Sequence, residues 1–199
     1  MAARLTLDPV PLLALRGGLA LLLLFTAAHK LRDVAGFRAA VEGYGLLPGA
    51  WLTPAAALFV ILELAFGTSL IWPGSGAAPV WGAAALLILY TGAITINLTR
   101  GRRIDCGCAG PAGRVPLAWS LVARNAVLIC AALVSAAPAG ARTLMWLDGV
   151  TVCGGIAAMV LIYAAADTAL ANAARLRPPT SVDRSPHVEG TEELSWSTP

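Results

Sequence analysis

The feature that most limits what this chain can become is a set of five long apolar stretches, at residues 10–28, 54–72, 79–98, 115–137 and 144–166. A hydrocarbon core of roughly 30 Å takes about 20 apolar residues to cross as a helix, and each stretch has about that length. Lipid offers the backbone no hydrogen-bonding partner, so the stretches must be helical. A β-barrel would show alternation of period two, which they lack. Composition agrees: 58% hydrophobic and 13% charged residues is too apolar for a soluble domain, where the shares are about half and about a quarter. The expected fold class is all-α: a polytopic transmembrane bundle of about five helices over residues 10–175, with a tail at 1–9 and another at 176–199. The second tail begins Pro178-Pro179-Thr180-Ser181 and stays polar, with too little apolar surface to fold, so disorder is expected there. The first stretch lacks a basic leader beyond Arg4 and runs straight into His29-Lys30, so it reads as a retained helix and not a cleaved signal.

Orientation follows from the loop cations. With five alternating helices one side holds Arg4 and Arg142. The other holds Lys30, Arg32, Arg38, Arg100, Arg102, Arg103, Arg114, Arg175, Arg177 and Arg184. The positive-inside rule makes the second side cytoplasmic and places the N-terminus outside a cell (inner or plasma) membrane. Trp51, Trp72, Trp81, Trp119 and Trp146 fall at expected helix ends, where indole rings favour the interface. Between the first two spans, Leu31, Val34, Phe37, Val41 and Tyr44 recur every three or four residues with Arg32, Asp33, Arg38 and Glu42 between them. That pattern predicts a short amphipathic helix on the cytoplasmic face, stopped by Gly45 and Pro48. The net charge of +3 is spread over loops and forms no patch for an acidic partner, so the expected surroundings are the lipid bilayer and no nucleic acid.

Chemistry concentrates in Cys106-Gly107-Cys108, which lies in an arginine-rich loop, residues 100–114, on the expected cytoplasmic side. A positive field favours thiolate over thiol, and two cysteines one glycine apart close a disulfide only in a tight, strained ring. Strained bridges are the labile kind that exchange. Two unreactive loop cysteines are the plainer reading. A metal site needs two more soft ligands, and neither His29 nor His187 stands at a zinc-site spacing, so no metal is expected. Counting ~1.5 Å per residue, Cys130 and Cys153 fall at matching depths in the fourth and fifth spans, ~20 Å and ~10 Å from the ends where those spans start. They are candidates for a buried relay pair, or simply small apolar residues that pack well. Glu63 and Arg124 each lie ~13 Å from the cytoplasmic end of their spans on the same count, and intramembrane charges are costly when unpaired. They are expected to form a structural ion pair. Arg16 is expected to snorkel outward or to meet Asp148. His29 and Asn97 mark the cytoplasmic ends of the first and third spans. No cofactor motif is evident, although a small bundle leaves room for a quinone between helices.

The run Thr26-Ala27-Ala28-His29-Lys30-Leu31, the following Phe37 and Tyr44-Gly45-Leu46-Leu47-Pro48, the helix bearing Glu63, and above all Asp105-Cys106-Gly107-Cys108-Ala109-Gly110 resemble the methylamine-utilisation protein MauE family, within the broader DoxX-like group of small membrane proteins. The resemblance spans about residues 10–170. It implies a four-helix DoxX-like core plus one helix, and a redox-associated membrane protein. It also implies a part in maturing a periplasmic methylamine dehydrogenase subunit, rich in disulfides, whose quinone cofactor forms from tryptophan. Two functions follow as expectations. In the first, Cys106 and Cys108 exchange electrons with a thioredoxin-like protein and so support disulfide formation in, or maturation of, an exported client. In the second, the bundle is a non-catalytic assembly factor or scaffold. A transporter fits less well, because no pair of broken helices occupies corresponding positions.

Overall fold

The computed structural model describes residues 6–72, 74–102 and 117–175, and these form six α-helices in the order α1 (Pro9–Arg32), α2 (Val34–Tyr44), α3 (Gly49–Ile71), α4 (Ala78–Thr99), α5 (Trp119–Ser135) and α6 (Trp146–Arg175). Local chemistry explains the punctuation. Asp8 caps α1, its side chain accepting from the Val10 amide at 2.8 Å, and proline fills the first turn, where a missing N–H costs nothing. The helix ends in His29, Lys30 and Arg32, cations that suit its negative C-terminal end. Asp33 then does two jobs. Its extended backbone breaks the helix, and its carboxylate accepts from the Gly36 amide at 2.8 Å to start α2. Gly45 stops α2 in the left-handed conformation (φ 61°) that a side chain would resist.

Four helices are long and apolar enough to cross a membrane: α1, α3, α4, and α6 over Trp146–Ala169. The fifth, α5, has 17 residues, or ~26 Å of helix, at the short end of a spanning length. The architecture is that of a multi-pass helical membrane protein. Helix ends differ from the hydropathy runs because backbone hydrogen bonding, not apolarity, sets them: α1 continues to Arg32 and α6 to Arg175, while α3 starts at Gly49, just after Pro48. The expected amphipathic helix is α2, with Phe37 buried and Arg38 Nε donating to Thr53 Oγ1 of α3 at 3.1 Å. Residues 1–5 and 176–199 of the expected tails lie outside the described residues. Leu7 and Asp8 are pinned instead: Gly140 N donates to Leu7 O at 2.8 Å, and Arg142 reaches Asp8 at 3.0 Å and Asp148 at 2.8 Å. Hydrogen bonds to Asp148, then Asp8, hold the Arg142 guanidinium above its usual pKa.

α1 is the hub. It packs against α3, α5 and α6, and α4 closes on α5 and α3. The main core joins Leu19, Ala20 and Leu23 of α1 to Leu70 of α3, Val80, Ala83, Ala84, Leu86 and Leu87 of α4, and Ala132 of α5. Small residues let the backbones approach. At Gly67 a Cβ would stand 2.9 Å from the Leu24 side chain and 3.4 Å from the Ala20 carbonyl. The outside is as apolar as the inside. Phe25, Val127, Leu161 and Ile162 are each more than 60% exposed, a surface that water penalises and acyl chains accept. The five tryptophans expected at interfaces lie at or within three residues of helix ends, all exposed.

Candidate functional site

Sequence spacing predicts a Glu63–Arg124 pair, and the fold corrects it. Glu63 lies on the buried stripe of α3 with Ala56, Val60, Gly67 and Leu70, facing α1 and not α5. On α1 the matching stripe is Leu23, Ala27 and Lys30, the i, i+4, i+7 face of a helix. Lys30, which reads from sequence as a loop cation, is therefore inside the bundle. It is 2% exposed and hydrogen-bonded to Glu63 Oε1, itself 1% exposed. Tyr90 of α4 completes the group: its hydroxyl donates to Glu63 Oε1 at 2.9 Å and accepts from Lys30 Nζ at 3.2 Å. The ammonium also lies 4.7 Å from the ring centroids of both Phe37 and Tyr90, positions where a ring face attracts a cation. Phe59 supports Tyr90 with a tilted contact at 5.4 Å.

Three helices and α2 thus converge on one buried ion pair. Charges this deep persist only when paired and hydrogen-bonded, and this pair is nearly so. Glu63 Oε2 is buried with no hydrogen-bond partner among the described residues. Chemically the trio combines a cation, a carboxylate and a phenol in contact, able to share protons with one another or with a bound polar group.

Arg124 finds its partner elsewhere, on Asp167 of α6, with its guanidinium 5.3 Å from the Tyr163 ring. Asp167 lies beyond the apolar stretch at 144–166, and only the extra helical turns of α6 bring it to Arg124. Arg16 does not meet Asp148. Its Nε donates to the Ser135 carbonyl at 3.1 Å, at the negative end of α5, while Asp148 is taken by Arg142. Asn97 is fully buried, its amide donating to Ala93 O at 3.1 Å, and His29 is half-buried on α1.

Cys106 and Cys108 lie outside the described residues. The loop that carries them leaves the described fold at Arg102, whose Nη1 donates to Tyr44 O at 2.9 Å, and re-enters at Leu117, buried with Ile94 and Leu121. Both anchors touch the end of the bundle where α2 packs. Cys130 and Cys153 are free thiols with exposed side chains. The structure does not bring them together as a relay pair, since α5 and α6 each lean on α1. Among the described residues no three His, Cys, Asp or Glu side chains gather closely enough to hold a metal ion.

Fold and site together define a multi-pass helical membrane protein built around a buried Lys–Glu–Tyr cluster, with an arginine-rich Cys-Gly-Cys loop at one end. A sequence profile described as methylamine utilisation protein MauE matches residues 8–138, which include Lys30, Glu63, Tyr90, Cys106 and Cys108. The chain is 38% identical over 128 residues to a methylamine utilization protein MauE of Paracoccus denitrificans, covering 64% of this chain and 69% of the relative. It is 36% identical over 133 residues to one from Methylorubrum extorquens (66% and 72% covered) and 35% identical over 155 residues to one from Methylophilus methylotrophus (74% and 80% covered). The chain belongs to the MauE family, a family of methylamine utilisation proteins. No solved structure matches it.

Proposed function

We propose that the protein is a membrane thiol–disulfide redox protein, in which Cys106 and Cys108 cycle between dithiol and disulfide to support maturation of an exported client. Within methylamine utilisation that client is methylamine dehydrogenase. The observation that carries this reading is the Cys-Gly-Cys pair in a loop with Arg100, Arg102, Arg103 and Arg114, where positive charge favours the nucleophilic thiolate. Covalent geometry supports it further. Only four residues separate Cys106 from the anchored Arg102, a chain reach of at most ~14 Å, so the pair is tethered to the end of the bundle where α2 packs.

In the exchange step one thiolate attacks a partner disulfide. This forms a mixed disulfide and expels one partner thiolate. The second cysteine then resolves the mixed bond, leaving Cys106–Cys108 oxidised and the partner reduced by two electrons and two protons, and the reverse sequence transfers them back. A thioredoxin-like protein is the partner class suited to that step. The distribution of loop cations places this loop on the cytoplasmic side of a cell membrane, with the N-terminus outside.

The test is differential labelling with a membrane-impermeant maleimide, in intact cells and permeabilised membranes, before and after reduction. Labelling of Cys106 and Cys108 only after both permeabilisation and reduction is expected. Labelling in intact cells overturns the orientation. Free, slow-reacting thiols under every condition replace the redox reading with that of a non-catalytic scaffold.

A further inference from the structure

A groove of about 200 Å³ runs between α2, α3 and α4, and its lining is almost wholly apolar. Phe37, Phe59 and Tyr90 form its aromatic wall, and Leu46, Leu47 and Leu89 its exposed rim. The wall is also the shell of the buried ion pair. Phe37 and Tyr90 both hold Lys30 against their rings, and the Tyr90 hydroxyl donates to Glu63 Oε1. An otherwise greasy slot therefore has a polar foot containing an ammonium, a phenol and a carboxylate.

Size and chemistry narrow the occupant. Pockets for drug-sized ligands run to roughly 300–1,000 Å³, so this one suits a single substituted ring with a tail crossing the rim. Aromatic walls favour a flat π-system in tilted or offset contact. The foot asks for oxygen on that ring: a carbonyl accepts from an ammonium or phenol, and a ring hydroxyl donates to a carboxylate. Glu63 Oε2, buried and unpartnered among the described residues, is the acceptor such a hydroxyl would satisfy. An acyl chain fits the walls and leaves the foot unmet.

We propose that this groove binds the head ring of a lipid-soluble quinone or its quinol, with the ring oxygen at Tyr90 and the Lys30–Glu63 pair. The site rests on the groove and the buried cluster and is independent of the thiol reading.

The experiment uses the full chain in phosphatidylcholine nanodiscs with decylubiquinone as probe. Decylbenzene, which keeps ring and tail but lacks the oxygens, is the competitor. Saturable one-to-one binding is expected, with decylbenzene weaker by about tenfold or more. Loss of one hydrogen bond in Tyr90→Phe should weaken binding about three- to tenfold, and Ala93→Phe, which fills the groove from α4, should abolish it. If Ala93→Phe does not fold, Val41→Phe closes the same groove from α2. Equal binding of decylbenzene and decylubiquinone overturns the proposal and leaves an apolar slot. Binding unchanged in both Tyr90→Phe and the groove-filling variant overturns it as partition into lipid.

Discussion

Replacing Glu63 by leucine removes the carboxylate from the centre of the bundle and strands Lys30, which is 2% exposed. Breaking a buried ion pair by deleting one partner costs about 3–5 kcal/mol, because the remaining charge stays buried without compensation. Part of that is offset here. Lys30 keeps the Tyr90 hydroxyl and the faces of Phe37 and Tyr90, and cation–π contacts return about 0.5–2 kcal/mol. The expected net loss is about 3 kcal/mol. At roughly 2–4 °C per kcal/mol for a chain of this size, the midpoint falls by about 6–12 °C. The assay is the fraction of monodisperse protein remaining after heating in detergent, read by size-exclusion chromatography at one fixed heating time, because membrane-protein unfolding is often irreversible. The decisive comparison is the double variant Lys30→Met/Glu63→Leu. With both charges gone, nothing polar is stranded, and such replacements are often neutral or stabilising. The double variant should therefore regain most of the loss. If it proves as unstable as Glu63→Leu alone, the pair is not the unit of stability described above and the argument fails.

Other outcomes follow from the same geometry. Asp167→Asn should cost less than Glu63→Leu in that heating assay, because Asp167 is 30% exposed and its pair with Arg124 is partly solvated. Gly67→Val should lower stability by about 1–3 kcal/mol through overpacking against Leu24 and the Ala20 carbonyl, detected as an earlier loss of the monodisperse peak. Cys106→Ser or Cys108→Ser should abolish any mixed disulfide trapped in cells with a thioredoxin-like partner. Cys130→Ser and Cys153→Ser should leave it in place, since both are free thiols on exposed positions; loss of trapping in either would reinstate an intramembrane relay.

Much of the fold was legible because lipid makes helix formation compulsory. Residues 10–28, 79–98 and 144–166 lie within α1, α4 and α6, and 54–72 overlaps α3. The amphipathic period from Leu31 to Tyr44 specified α2, and Asp33 and Gly45 marked its ends by capping chemistry visible in one dimension. The site was legible only in kind. That intramembrane charge must be paired followed from desolvation, but which partner it takes did not. Depth along the membrane normal is the same for Glu63 and Arg124, whereas the angle around each helix and the neighbour it meets are not written in depth.

Lys30 shows where the one-dimensional signal lay unused. Its spacing of three and seven residues from Ala27 and Leu23 puts it on the buried stripe of α1, yet a lysine at the end of an apolar run reads as a loop cation. Tyr90 carried no signal beyond being a tyrosine in a span.

The sequence by itself determined that the chain is a multi-pass helical bundle, where its helices cap and break, its family, and the presence of the Cys106–Cys108 pair in an arginine-rich loop. Each of these follows from local or compositional forces: backbone satisfaction in lipid, capping and charge. Only the tertiary structure decided that Lys30, Glu63 and Tyr90 meet, that Arg124 belongs to Asp167, and that a groove opens beside the buried pair. Those outcomes depend on how α1, α3 and α4 rotate to bury their small and bulky residues against one another, and that packing problem has no solution within any one helix.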